Sequence, residues 1–378
     1  MKYKGRFVML NSKNTKSLSL VGLFAAGILT AGFTTPMAMA GETKSFVLSW
    51  FHIATYSQDI DCPDGLNPKA DEMFQRILKE MGKTDSEIEE IYKDFPYPIY
   101  EIATDRGIID GKPVNVYITP TSTPDPQIKT AVAGQAYGFN LDGREETGGY
   151  MDPETGETGV DNNAYRALGC FETQRAMPPQ RPTYPYIQWD MTRDFTGAWL
   201  VEVSGIDDMQ NDDDVTVGIF RALNPITRDV AGEVVQDMTF KVNPAPLSQN
   251  VTKAKIVNGV VLTDQFEFYM TGDPLAIADY DLTRARLRLS LNEDGTMDGI
   301  LGGYQSWRTI YSGFALPGVT NEINLSVDVP GIFYALRRLA DGDPDPETGE
   351  NTTISSAYTM TGVPAFIIRD NPEVAQVD

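Results

Sequence analysis

From Phe195 onward the apolar residues of this 378-residue sequence recur at every second position, and that period constrains the fold more than any other feature. In the run Ala285–Leu291, Leu287, Leu289 and Leu291 fall on one side and Arg286 and Arg288 on the other. Asn292-Glu-Asp-Gly295 then turns the chain into a second run over 296–301, a hairpin signal. Trp199, Val201 and Val203 show the same alternation, as do Val215, Val217 and Ile219 and the stretches 238–242, 254–257 and 266–270. A period of two places one side of each strand on a core and the other toward solvent. Several such strands separated by turn residues predict an antiparallel, jelly-roll-like β-sandwich over about 195–316, in a domain spanning 186–316. The region 317–378 is expected to pack on it, with a helix starting near Pro330 (Ile332, Phe333, Leu336, Leu339) and two strands between Thr352 and Ile368.

Residues 41–185 read as an α+β region, so the fold class is mainly β with an α+β N-terminal part and few short helices. An aromatic, β-branched strand covers 44–55. Asn67 followed by Pro68 predicts the start of a helix whose apolar stripe is Met73, Phe74, Ile77, Leu78 and Met81. Thr84-Asp-Ser-Glu87 has the form of a capping box for a second helix, which Phe95-Pro96 stops. Short strands such as Val114–Ile118 are expected through 99–140, then a polar loop over 140–163 and a short helix over 163–168. The Pro178–Pro185 run reads as a stiff boundary between halves.

Residues 1–40 have the layout of a secretory signal peptide. Lys2 to Lys16 form a basic region, Leu18–Phe33 an apolar one, and Ala38-Met39-Ala40 a small-x-small cleavage site before Gly41. The expected location is therefore periplasmic or extracellular. The formal charge is −22, and it becomes −27 without residues 1–40, which hold five basic and no acidic side chains. That excess of carboxylates rules out most sequence-independent nucleic-acid binding, which needs Lys and Arg on phosphates. No second apolar run is long enough for a helical membrane span.

Export makes the two cysteines informative. Cys62 and Cys170 either form one bridge, favoured by an oxidising compartment, or remain two buried thiols. Oxygen ligands on short loops are the strongest chemical signal. Asp59, Asp61, Asp64 and Asn67 lie within nine residues, and Asp142, Asp152, Glu154, Glu157, Asp161, Asn162 and Asn163 lie in the polar loop. A Cys62–Cys170 bridge would bring the two groups together. Calcium takes six to eight such oxygens, so Asp59, Asp61, Asp64, Asn67, Asp152, Asp161 and Asn163 are the candidate ligands. The plainer role of Asp and Asn, capping helices and making Asx-turns, stands beside that reading. The acidic group Asp207–Asp214 needs no metal to serve as a solvated turn. One hexapeptide occurs twice, as Asp152-Pro-Glu-Thr-Gly-Glu157 and Asp345-Pro-Glu-Thr-Gly-Glu350; both copies read as turns.

The sequence has no G-x-S-x-G elbow, no P-loop and no His-Glu-x-x-His. His52, the only histidine, sits on a strand between Phe51 and Ile53 and reads as structural. Trp50, Trp189, Trp199 and Trp307 either fill a core or, with Tyr184, Tyr186 and Tyr304, offer a sugar-stacking surface.

Three stretches carry a resemblance: Asp61-Cys-Pro-Asp-Gly-Leu-Asn67, Gly159–Cys170, and Tyr334–Asp341 with Asp343–Gly349. Together they resemble a group of exported bacterial proteins that have no assigned activity, so no catalytic residue is implied. The functional expectation is an exported, calcium-stabilised, non-enzymatic binding or structural module of the cell envelope, with a glycan or another envelope protein as partner. The alternatives are a carboxylate-dependent glycoside or envelope-polymer hydrolase, and a subunit of a larger envelope assembly.

Overall fold

The computed structural model describes residues 41–132, 134–145, 149–177, 180–182, 189–190, 197–271 and 279–369. Residues 1–40, Tyr184 and Tyr186 lie outside them, as does most of the Pro178–Pro185 run. The chain runs β1 (Glu42–Ile53), α1 (Ala70–Glu80), α2 (Asp85–Lys93), α3 (Tyr97–Thr104), β2 (Gly107–Ile109), β3 (Lys112–Val114), β4 (Gly134–Gln135), β5 (Tyr150–Met151), β6 (Thr158–Val160) and α4 (Asn163–Leu168). It continues through β7 (Trp189–Asp190), β8 (Trp199–Ile206), β9 (Asn211–Arg221), β10 (Met238–Lys241), β11 (Gln249–Val257), β12 (Val260–Thr263), β13 (Phe266–Met270), β14 (Tyr280–Leu291) and β15 (Met297–Ser306). It ends with α5 (Trp307–Ala315), α6 (Val319–Leu325), α7 (Val329–Leu339), β16 (Gly342–Pro344) and β17 (Asn351–Ile368).

The mainly-β reading holds, but the expected sandwich is replaced by a closed barrel. Eight strands pair in the order β1-β8-β9-β11-β12-β14-β15-β17, each antiparallel to its neighbours, and β17 returns to β1. Alternation inside and out is the same in a barrel and a sandwich, so the period could not separate them. Closure depends on β1 and β17, whose paired residues His52 and Thr359 are 307 positions apart. The tail, expected as two strands, is one strand of 18 residues. That length lets it pair with β15, with β1 and, in parallel, with β10.

The lumen is filled. Phe51, Trp199, Tyr280 and Tyr358 converge from β1, β8, β14 and β17, with ring centroids 4.9–5.4 Å apart. Their quadrupoles favour the tilted and edge-on arrangements seen for most of these pairs. Where β12 ends and β13 takes its place beside β14, Asn250 repairs the gap. Its amide nitrogen lies 2.9 Å from the Tyr269 carbonyl, and its oxygen accepts the Tyr269 N–H at 3.0 Å. Leu287 and Leu289 point inward and are fully buried. Arg288 points outward as expected, yet it is only 5% exposed because a layer from 131–165 covers that wall.

The helices follow the sequence in part. Thr84 and Glu87 form the expected capping box on α2, and α4 and α7 begin at the Asn162 and Asp328 caps. Asn67 caps nothing: α1 starts after Lys69, while the Asn67 amide ties the Lys129 and Cys170 backbones together. Pro96 stops α2 but α3 follows at once, and α5 and α6 form where no helix was expected. Of Val114–Ile118, only Val114 is in a strand. Trp307 is buried under α7, against Phe333. Among the described residues no helix is long and apolar enough to cross a membrane.

Candidate functional site

A groove of about 570 Å³ lies on the outer wall of the barrel, over β1, β14, β15 and β17. Register builds its floor: on the outward side of these strands His52 stands opposite Thr359, and Arg288 opposite Ile300. Tyr137 and Glu154 come from the covering layer, and Gln180 and Arg181 close the groove from the far side. Gly302 lets that layer approach, because a Cβ there would stand 2.7 Å from a carbon of the Phe139 ring.

His52 is 9% exposed, and burial lowers its pKa to about 4. Its Nδ1 donates to the Ile53 carbonyl at 2.8 Å, which leaves Nε2 to accept from the Thr359 hydroxyl at 2.9 Å. A neutral ring with both nitrogens engaged is a fixed wall element. Arg288 Nη2 reaches both oxygens of Asp152, at 3.2 and 3.0 Å, and Glu154 Oε2 at 3.2 Å. Asp298 accepts from the Asn292 amide at 2.8 Å. Arg181 sits over Trp50, its guanidinium carbon 4.0 Å from the ring centroid, with Nη2 3.4 Å from the Thr361 hydroxyl.

The bridge between Cys62 and Cys170 is formed. It holds the Asp61 turn against the end of α4, where Tyr165 donates to Asp61 Oδ2 at 2.7 Å and Arg175 stands 3.5 Å away. Asp61 is wholly buried, and its Oδ1 has no hydrogen-bond partner. Asp59 and Asp64 are exposed. Asp152 is held by Arg288, while Asp161 accepts the Leu141 and Asp142 N–H groups at 2.8 and 3.2 Å. Burial, with Asp142 and Asp341 nearby, raises Asp161 to about 6. Asn163 binds the Leu339 carbonyl through its side chain. The candidate ligands thus have different protein partners, and among the described residues no three of His, Cys, Asp or Glu converge as a metal-binding group.

The repeated hexapeptide folds identically twice. Asp152 Oδ1 accepts from Glu154 N, Thr155 N and the Thr155 hydroxyl; Asp345 Oδ1 accepts from Glu347 N, Thr348 N and the Thr348 hydroxyl. Gly156 and Gly349 hold φ of +73° and +72°, a conformation that costs glycine nothing. The surroundings differ: Asp152 is fully buried against Arg288, and Asp345 is only partly buried.

The sequence carried one partial signal for the groove, the outward Arg288, which in the alternation looks solvated. His52 and Thr359 could not be joined without knowing that the barrel closes. No protein-family model, curated protein or solved structure matches the chain.

Proposed function

We propose that the chain is an exported, non-enzymatic module that binds a polyhydroxylated ligand, a glycan of the cell envelope, in the groove over β1, β14, β15 and β17. The observation that carries this reading is the groove's chemistry. Thr55, Thr359, Thr361, Ser290, Asn292 and Gln180 supply hydroxyls and amides beside the Tyr137 ring. Such groups both donate and accept, as an array of sugar hydroxyls requires, and an aromatic face suits the apolar side of a sugar ring. His52 has no lone pair to spare for a proton transfer. Calcium belongs to the proposal as a stabilising ion at the Asp61 turn, where the buried Oδ1 has no hydrogen-bond partner. A melting temperature that rises with Ca²⁺ at fixed ionic strength, and no longer does so in Asp61→Asn, supports that part; an unchanged one removes it.

Titration calorimetry of the chain from Gly41 against an oligosaccharide library tests the main reading. Binding that disappears in Ser290→Trp, which fills the groove, is the expected result. No binding by any member overturns it. A hydrolase is the second reading, favoured by Glu154 and Asp298 on one groove. Turnover of a bound oligosaccharide, abolished in both Glu154→Gln and Asp298→Asn, would establish it instead.

A further inference from the structure

The groove's two guanidinium groups differ in a way that bears on what the ligand carries. Arg288 is committed, being buried against Asp152 and Glu154. Arg181 is not. It is half-buried and sits over Trp50, and among the described residues its side chain has one hydrogen-bond partner, the Thr361 hydroxyl at 3.4 Å. No carboxylate described lies within 4 Å of it. Asp298, on the same groove, and Glu233 act on it only through space, and Asp298 is itself bonded to Asn292. This is a notable gap in a chain with 53 acidic side chains against 31 basic ones. Burial acts against the Arg181 charge, and that charge in turn helps keep His52 neutral. The cation is therefore partly desolvated, and among the described residues no carboxylate forms an ion pair with it.

We infer that the ligand bound in this groove carries an anionic group, and that Arg181 receives it. The inference rests on the groove being the ligand site. The Trp50 ring beneath the guanidinium and the Thr361 hydroxyl beside it restrain the Arg181 head before the ligand arrives. A planar fork matches two oxygens of a carboxylate, phosphate or sulfate, and charge-assisted bonds of this kind are the strong ones. Glu154 and Asp298 keep the rest of the groove acidic. One anion is therefore accepted, at the Arg181 end, while hydroxyls occupy the remainder. The ligand class is an acidic sugar unit within a glycan, with the charge on an exocyclic group.

The test uses the chain from Gly41 and three pairs of oligosaccharides, each an acidic member and its neutral counterpart. The acidic members bear a uronate carboxylate, a phosphate or a sulfate, and calorimetry reads each affinity. At least one acidic member is expected to bind about tenfold or more tighter than its neutral partner, the range for a hydrogen bond to a charged group. The same preference should shrink with salt, vanish in Arg181→Gln and be only partly kept in Arg181→Lys, which retains the charge and loses the fork. The pair that shows the preference identifies the anion. Equal binding of acidic and neutral members overturns the inference while leaving the groove reading intact, and so does a preference that survives in Arg181→Gln. If no member of any pair binds, both fall. The wild-type comparison stands alone if Arg181→Gln does not fold.

Discussion

Arg288 and Asp152 form a buried ion pair, 3.0 Å at its closest, that fastens a surface turn to the outer wall of the barrel. The turn itself needs only the Asp side-chain oxygen, as its less buried twin at Asp345 shows. Asparagine keeps that oxygen and loses the charge, so the two copies separate turn geometry from ion pairing.

Asp152→Asn should cost about 3 kcal/mol in urea unfolding, because it leaves the Arg288 charge buried with only Glu154 beside it. Asp345→Asn should cost within about 0.5 kcal/mol, as for an ordinary surface change. Arg288→Met combined with Asp152→Asn should cost clearly less than the two single changes added together. Equal costs at 152 and 345 would mean that the pair contributes nothing beyond the turn.

The Cys62–Cys170 bridge spans 108 positions. In the loop-entropy account a closure of that size is worth roughly 4–5 kcal/mol. Cys62→Ser with Cys170→Ser should therefore lower the melting temperature by well over 5 °C. It should also loosen the Asp61 turn first, visible as faster amide exchange at Val132, whose N–H is bonded to the Asp61 carbonyl. A variant that melts with the wild type would sink this.

Two buried groups should give opposite pH dependences. His52 titrates at about 4 in the folded chain against about 6.5 unfolded, so the unfolded chain takes up the proton first. Its contribution is complete above about 6.5 and is lost as pH falls toward 4, by about 3 kcal/mol in all. Asp161, at about 6 when folded, takes its proton before the unfolded chain does. Its contribution is complete below about 3.8 and is lost as pH rises through 6. Relative to wild type, His52→Gln should thus become steadily more stable as pH falls from 7 to 4, and Asp161→Asn steadily less. Denaturation midpoints across that range decide it, and parallel curves would refute both assignments.

The alternation of Leu287, Leu289, Arg286 and Arg288 was legible because a period of two belongs to the strand itself. The sense in which those strands join was not, because closure is decided by a pairing between His52 and Thr359 that leaves no local trace. The same limit explains Asn67. Its sequence setting is that of a helix cap, and the partners that claim its amide, Lys129 and Cys170, lie 62 and 103 residues away. The acidic loops were legible as turns, and the repeated hexapeptide was read correctly twice. Which copy would be buried depended on Arg288, a residue whose alternation pointed to solvent until a covering layer is placed over it.

That layer rests on the absence of a side chain at Gly302, and this supplies the last prediction. A Cβ at 302 would stand 2.7 Å from Phe139 Cδ2 and 3.2 Å from Cε2. The ring cannot retreat along the wall, since Arg286 and Arg288 lie over it with guanidinium carbons 4.8 and 5.6 Å from its centroid. Gly302→Ala must therefore lift Phe139 off the barrel. With it would move Leu141, whose N–H is bonded to Asp161, and Tyr137, which lines the groove. Overpacking of this kind costs about 1–3 kcal/mol, even though alanine suits a strand better than glycine does. Phe139→Leu, which removes the clashing edge, should recover part of that cost when combined with Gly302→Ala while being destabilising alone. Urea denaturation of the four proteins gives the coupling directly. A Gly302→Ala chain as stable as wild type would show that the covering layer is not seated on this wall, and the groove it helps to form would lose its near side.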